Sequence, residues 1–490
     1  MKLYDTQSRQ LKEVDVTRKQ IQMYCCGPTV YRDAHVGNLR TFLLSDLIAR
    51  VVQLNGSHPY LIQNITDVGH MSEDFVNDDK MLTQAKLEKV DPFEIARKYE
   101  AKFHQDLADL NIVPAAGYPR ASESIDLMLS LIERLIEADF AYVGSDSSVY
   151  FSAQKFASYG AISGNKLDSL KPGHRYEYSE DGAKRFHADW ALWKAAGDRT
   201  EMVWESPWGK GFPGWHIECS AMATKYLGKR FDIHGGGMDL QFPHHECEIA
   251  QSNVCNHEIP ARYWMHNNMI TINGRKMGKS YNNVIKLSEL FSGQHHELTQ
   301  AYAPMTVRFF ILQSQYRGTL DFSNEALQAS EKALKRLMEA YEWLKAQSFT
   351  AGNNASDATL DAQLKTWVDE LEEFMDDDFN TAKVVANLFE ILPSINSLKD
   401  KHIATDAISG DTWIYAQKQL KLFIEDILGI KIEAGANREQ LKAVVELLIE
   451  IRKDAKARKD FATSDKIRNQ LADMGIQIKD EKDGSMTYTL

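Results

Sequence analysis

Hydrophobic and polar positions alternate over 21–26, Ile-Gln-Met-Tyr-Cys-Cys, and this predicts a strand closed by Gly27-Pro28. Leu39, Leu43, Leu47 and Val51 then recur every four residues, so 38–54 reads as a helix with one core-facing stripe, stopped at Gly56. A second strand is expected over 60–65. Strand, helix and strand within about 45 residues form a βαβ unit and predict a parallel sheet. No Gly-x-Gly-x-x-Gly follows the first strand, which weakens a dinucleotide-binding reading.

Further along, 71–118 reads as helical and charged, and 122–137 as a strongly amphipathic helix. A hairpin is expected over 141–151, around Gly144-Ser145-Asp146, and 152–200 is irregular, rich in Gly, Ser, Asp and Lys. Residues 273–280, Asn-Gly-Arg-Lys-Met-Gly-Lys-Ser, read as a mobile loop. From Asn324 the pattern is helical, with Leu327, Leu334, Leu337, Tyr341 and Leu344 on one face, and 350–358 is a linker. After a boundary at 433–437 the tail reads as helices over 438–459 and 464–474, capped by Gly475. A hairpin turned at Asp483-Gly484 closes the chain.

Composition narrows the class. The chain has 490 residues, 43% hydrophobic and 26% charged, as expected for a multidomain soluble enzyme. No apolar run reaches the ~18 residues that a membrane helix needs, and the first residues carry no apolar core of a signal peptide. Five scattered cysteines argue for a reducing cytoplasm rather than a disulfide framework. A net charge of −12 argues against DNA, while leaving room for a local RNA-binding patch.

The densest candidate chemistry lies in 214–251. A strand is expected over 230–234, a tight glycine turn or ligand approach at Gly235, Gly236 and Gly237, and a helix over 244–251 with Pro243 in its first turn. His244 and Glu248 are four apart and share a helix face. With Cys219 upstream they supply three kinds of zinc ligand, and Cys26 is the candidate for the fourth. His245 is the alternative to His244, although its own i+4 neighbour is Ile249. Cys25 should point to the other side of its strand and pack in the core. Cys247 and Cys255 read as small buried side chains or free thiols.

Two motifs suit phosphate. His35-Val36-Gly37-Asn38 opens a helix, whose free N–H groups and partial positive charge attract anions, and Lys276 with Lys279 can hold further oxygens. In this order around a parallel sheet they resemble the His-x-Gly-His and Lys-Met-Ser-Lys-Ser signatures of class I aminoacyl-tRNA synthetases. Met23-Tyr24-Cys25-Cys26-Gly27-Pro28-Thr29-Val30-Tyr31, Asn64-Ile65-Thr66-Asp67, Gly214-Trp215-His216-Ile217-Glu218-Cys219-Ser220, Phe231 to Gly237 and Phe242-Pro243-His244-His245-Glu246 narrow the match. With these the chain resembles cysteinyl-tRNA synthetases, specifically over about 1–325 and more loosely onward through Met375-Asp376-Asp377-Asp378-Phe379-Asn380-Thr381.

The resemblance implies an ATP-dependent ligase that forms cysteinyl-adenylate, with magnesium accompanying ATP, and transfers cysteine to its tRNA. It places zinc on Cys26, Cys219, His244 and Glu248, with the substrate thiolate joining the metal. It implies contact with cysteine for Thr66 and Trp215, and with ATP for His35, Gly37, Asn38, Asp239 and Lys279. Catalytic roles go to His35, Asn38, Lys276 and Lys279. Two positions depart from the pattern. Asn38 replaces the second histidine and cannot become cationic, and Gly278 replaces the serine of the lysine loop.

The expected fold is α/β: a Rossmann-like parallel-sheet catalytic domain (1–118 and 206–265) with an insertion (119–205), then a stem-contacting segment with the lysine loop (266–323). A helical bundle (324–432) and a small α+β anticodon-binding domain (433–490) follow. In the tail Arg452, Lys453, Lys456, Arg458, Lys459, Lys466 and Arg468 outnumber Asp454, Asp460 and Asp465, which suits an RNA face or a solvated one. The resemblance implies a cytoplasmic monomer acting on tRNA, cysteine and ATP, with neither membrane nor DNA as partner. Two rivals remain: a zinc ligase joining cysteine to an amino sugar, which would end without the anticodon module, and a noncatalytic zinc-containing RNA-binding protein.

Overall fold

The computed structural model describes all residues except 70–78, 171–182, 432–435, 459, 474–475, 481–485 and 490. The chain forms two compact units, Met1–Ile430 and Lys431–Leu490. At the centre of the first is a parallel sheet of β1 (Gln20–Cys25), β2 (His58–Gln63), β3 (Phe231–Gly237) and β4 (Ala261–Asn267), in the order β4-β3-β1-β2. The expected βαβ unit is present, with α1 (Val36–Leu54) between β1 and β2. Leu39, Leu43, Leu47 and Val51 are all buried along α1.

The chain runs to one side of β1 to make β2 and to the other to make β3 and β4. Loops leaving the carboxyl ends of β1 and β3 therefore part, and open sheets place ligands in the crevice left there. Cys25 and Cys26, at the end of β1, enter different hydrophobic clusters, as strand alternation requires.

The glycine run behaves differently from expectation. Gly235, Gly236 and Gly237 make no turn but form the last three residues of β3. A Cβ on Gly236 would lie 2.7 Å from the His245 ring, and one on Gly237 would strike the Asp239 carboxylate. The glycines thus let side chains approach the strand closely. The helix after them also starts late. Phe242, which precedes Pro243, is extended (φ −142°, ψ 130°), as a pre-proline residue prefers. One wide turn covers Gln241–His245, and regular α-helix spans Glu246–Asn256, labelled α3 below.

Between β2 and β3 the chain forms the helix Ile125–Glu137 and an antiparallel sheet of Ala141–Val143, Val149–Phe151, Trp190–Ala195 and Gly211–Pro213. Trp190–Ala195 lies in the stretch expected to be irregular; all but its last two residues are buried. Of the region expected to be helical before it, Lys80–Glu88 and Pro92–Asp109 are helices, and 71–78 lies outside the described residues. The lysine segment is more ordered than a free loop. Arg275–Lys276 pairs antiparallel with Ile270–Ile272, which pairs in turn with Leu320–Phe322.

The helices Asn324–Lys345, Ala358–Asp376, Thr381–Lys399 and Gly410–Lys421 complete this unit. The predicted stripe of Leu327, Leu334, Leu337, Tyr341 and Leu344 is buried along the first of them. Arg308, wholly buried, ties this end to the sheet. It pairs with Asp46 of α1, and donates to the carbonyls of Leu428 (2.6 Å) and Leu110 (2.8 Å).

The second unit holds the helices Ala436–Ala457 and Phe461–Asp473 and the antiparallel strands Gln477–Asp480 and Met486–Thr489. The proposed cap Gly475 and turn Asp483-Gly484 lie outside the described residues. Arg452 is buried and so leaves the basic face, whereas Lys453, Lys456, Arg458, Lys466 and Arg468 are exposed.

Candidate functional site

At the β1/β3 switch point, Cys26 follows β1 and Cys219 projects from α2 (Trp215–Leu227). His244 comes from the wide turn and Glu248 from the first turn of α3. One ligand atom from each of these four lies within 4.8 Å of all the others, and all four residues are buried. A second set, Cys26, His234, His245 and Glu248, meets the same distance limit. Glu248 joins the two, with oxygens 3.0 Å from His244 Nε2 and 3.0 Å from His234 Nε2.

The ionisable groups of this cluster shift one another: against the cost of burial, Cys219 and Glu248 push His244 up to about 10. Burial and the neighbouring Cys219 and Glu248 push the Cys26 thiol well up. The hydrogen bond from Cys26 draws Cys219 down to about 6. Against the cost of burial, His234 and His244 hold Glu248 at about 2. Two sulfurs, an imidazole nitrogen and a carboxylate packed together form a donor set that fits zinc.

Around it lies a hydrogen-bonded imidazole chain. His245 Nδ1 is 2.7 Å from His266 Nε2, His266 Nδ1 is 2.9 Å from Thr6 Oγ1, and His245 Nε2 is 3.4 Å from Cys26 Sγ. His244 Nδ1 is 2.9 Å from His216 Nδ1. These contacts orient the candidate ligands.

The residues expected to meet cysteine border this cluster. Trp215 stacks on His244, with ring centroids 4.4 Å apart and planes at 23°. Thr66 donates from Oγ1 to Glu218 Oε2 at 2.9 Å, and Glu218 is wholly buried beside Cys219. Burial, then the Cys219 charge, pushes the Glu218 carboxyl well up.

The two phosphate motifs meet each other. Val36 N–H donates to Ile285 O at 3.1 Å, Leu287 N–H donates to Ala34 O at 2.9 Å, and Met277 of the lysine segment packs against Gly37. Burial lowers His35 to about 4, so its imidazole is neutral near pH 7. Asn38 Oδ1 accepts from His35 N–H at 3.1 Å. Gly278 is less free than its lack of side chain suggests, because its N–H donates to Asn283 Oδ1 at 2.9 Å and Asn283 Nδ2 donates to Lys276 O at 3.2 Å. Lys276 is exposed, and the side chain of Lys279 lies outside the described atoms. Asp239 is exposed beyond β3, close to Thr41 of α1 through the Gly237 gap.

Three buried groups escaped sequence reasoning. His234 faces the cluster of candidate ligands from β3; its place on an alternating strand beside Cys26 was the available signal. Glu218 lies inside the motif at 214–220 and is met by Thr66. Glu246 accepts from the N–H groups of Gly160 (2.8 Å), Ala161 (2.9 Å), Ile162 (3.3 Å) and Ser163 (3.1 Å), and from Ser163 Oγ (2.9 Å). It fastens the inserted segment to the ligand-bearing helix, over a sequence distance that no local pattern reveals.

A model of the tRNA synthetases class I (C) catalytic domain matches residues 12–332, and a DALR domain model matches 370–433. Proteins called cysteine–tRNA ligase from Phocaeicola vulgatus and Bacteroides fragilis are each 46% identical, over 98% of this chain and 97% of their own. That of Cytophaga hutchinsonii is 43% identical over the same shares, 98% and 97%. Mycobacterium tuberculosis methionyl-tRNA synthetase in complex with methionyl-adenylate shares the fold, with a TM-score of 0.56 at 15% identity, over 84% of this chain and 90% of that one.

Proposed function

We propose a mechanism from one premise: the chain belongs to the cysteine–tRNA ligase family of class I aminoacyl-tRNA synthetases. It activates cysteine with ATP and transfers it to tRNA. The residue roles that follow are our reading of the site.

Cys26, Cys219, His244 and Glu248 hold zinc. When bound, zinc supplies a soft Lewis-acidic centre that prefers a thiolate ligand to a hydroxyl. The observation that carries this is the buried donor set at the switch point. Cysteine and serine are nearly the same shape, and shape alone rejects such an isostere by only ~10²-fold. Trp215, held flat against His244, walls the amino-acid pocket, and Thr66 lines it.

In the activation step the cysteine carboxylate attacks the α-phosphorus of ATP, which is taken with magnesium, and pyrophosphate departs. The chain contributes position and charge rather than a nucleophile. The N–H of Gly37 sits at the positive end of α1 and faces phosphate, while the Asn38 N–H donates to His35 O at 2.9 Å and leaves its side-chain NH2 for the ligand. His35 is neutral and acts as a hydrogen-bonding group. Asn38 has no charge at all, so Lys276 and Lys279 supply the full positive charges. Asp239 contacts the nucleoside side.

In the second step a terminal hydroxyl of the tRNA attacks the adenylate carbonyl and AMP leaves. We assign 433–490 to anticodon reading, supported by exposed Lys453, Lys456, Arg458, Lys466 and Arg468. We further propose a cytoplasmic monomer. Among the described residues no helix is long and apolar enough to cross a membrane.

Metal content and cysteine-dependent pyrophosphate exchange, wild type beside Cys219→Ser, test the metal reading. The variant should lose zinc and discrimination against serine together. Full, selective exchange by a metal-free variant would overturn it.

A further inference from the structure

A cavity of about 260 Å³ opens between the helix Pro92–Asp109, the segment at 120–123 and Trp204. Asp67, Phe93, Arg97, Arg120, Ser122 and Trp204 are among its lining residues. None of them is part of the metal cluster or the phosphate motifs.

Two of its walls nevertheless continue segments of the amino-acid site. Asp67 follows Thr66 and is fixed by Ser122, whose N–H donates to Oδ1 at 2.8 Å and whose hydroxyl donates to Oδ2 at 2.5 Å. Trp204 exchanges both backbone hydrogen bonds with Gly211, at 2.8 and 2.9 Å. The strand starting at Gly211 leads directly through Gly214 into α2, which begins with Trp215. The cavity is therefore a neighbour of the cysteine pocket on the side of the inserted segment.

Its lining combines two aromatic rings, two arginines and three carboxylates, Asp67, Glu100 and Glu123. Trp204 is half-buried and meets Phe93 edge-on, with centroids 6.5 Å apart at 82°. Both rings line the cavity. Arg97 is exposed and makes no ion pair among the described residues. Arg120, in contrast, is neutralised by Glu100 at 2.9 Å and Glu123 at 2.8 Å. One uncommitted cation in a cavity that also holds aromatic rings suits a single phosphate and a single base. It does not suit a triphosphate. Unpaired nucleotides are recognised in this way, by stacking and by arginine.

We propose that this cavity takes an unpaired nucleotide of the tRNA 3′ end, its base against Trp204 and its phosphate toward Arg97. The inference rests on the cysteine–tRNA ligase reading and adds a place for the acceptor strand. Holding this nucleotide would bring the terminal hydroxyl to the adenylate carbonyl.

The test uses zinc-loaded full-length enzyme as wild type, Arg97→Ala and Trp204→Leu. Two rates are compared: cysteine-dependent pyrophosphate exchange without tRNA, and single-turnover transfer from preformed cysteinyl-adenylate to tRNA. A tRNA with 2-aminopurine as its last base reports stacking by fluorescence quenching. Exchange should stay within about twofold, while transfer falls about tenfold or more in each variant, the range expected for one base contact. Quenching should weaken in Trp204→Leu. If Trp204→Leu fails to fold, Arg97→Ala, altered only at an exposed side chain, decides alone. Unchanged transfer overturns the proposal. Equal loss of exchange and transfer also overturns it, because the cavity would then serve activation. A wild-type enzyme without cysteine-dependent exchange would instead sink the proposed function on which this inference rests.

Discussion

The side-chain oxygen of Asn38 accepts the backbone N–H of His35 at 3.1 Å, which closes the first turn of α1 from within. The amide oxygen is thus committed to the helix, and only the NH2 group is left to meet a ligand. Asn38→Asp keeps the oxygen and replaces that donor with negative charge. An acidic group in the first turn suits the helix dipole, so stability should change by less than about 1 kcal/mol. Cysteine-dependent exchange should fall by about 10²-fold or more, the scale of one lost phosphate-facing donor. A thermal melt beside exchange kinetics checks both expectations.

The two overlapping donor sets can be separated by mutation. His244 stands 3.0 Å from Glu248, while His245 stands 4.0 Å from it and is tied instead to His266. His244→Ala should lose most bound zinc, and His245→Ala should retain it with weaker affinity, about 10- to 100-fold, as for an outer partner. Metal content after dialysis against a graded chelator reads the difference. The reverse order would move the metal to the set built on His234 and His245.

Glu246 holds four consecutive N–H groups of the inserted segment, from Gly160 to Ser163. Glu246→Gln turns an NH2 group toward those donors and leaves some of them buried without an acceptor. The expected loss is about 3 kcal/mol of unfolding free energy, read from the shift in urea midpoint. Protease cutting within the insertion should accelerate in parallel.

Asp106, on the helix Pro92–Asp109, carries a carboxyl pushed from 3.8 up to about 7 by burial, with Asp33 and Asp109 adding and Lys102 opposing. Between about pH 4 and pH 7 the native state keeps this proton while the unfolded chain has lost it. By linkage, stability therefore falls as pH rises through that window. Asp106→Asn should be the more stable protein at pH 8, with the difference shrinking toward pH 4. Denaturation at four pH values would show a constant difference if Asp106 does not titrate in this way.

The readable and unreadable parts of the chain differ in how far apart the interacting residues lie. The α1 stripe and the βαβ unit are local patterns, and Leu39 through Val51 fall where period four puts them. His244 and Glu248 meet through their spacing of four, Cys219 and Cys26 join them as the remaining candidate ligands by chemistry, and the family resemblance points to the same four. Gly235 to Gly237 misled because glycine marks turns more often than it marks close approach within a strand. Pro243 misled because it follows an extended residue, so the helix waits until Glu246. Arg452 counts as surface charge in a composition argument, yet its side chain is buried. The partners of Glu246, Glu218 and Arg308 lie 83 residues or more away, beyond any periodic signal.

Arg308 sets a mechanical tolerance on the enzyme. Its guanidinium fork is rigid, and its donors are spent on Asp46, Leu110 and Leu428. Asn111 adds a bond of 2.8 Å to Gly429 O, so the last residues before Ile430 are gripped from two sides. A shift of that terminal turn must drag Asp46 with it, or break a buried ion pair. Asp46 lies 11 residues along α1 from His35, about 16 Å at the helical rise. α1 thus joins the helical domain, through Asp46 and Arg308, to the His35-Val36-Gly37-Asn38 motif at its start.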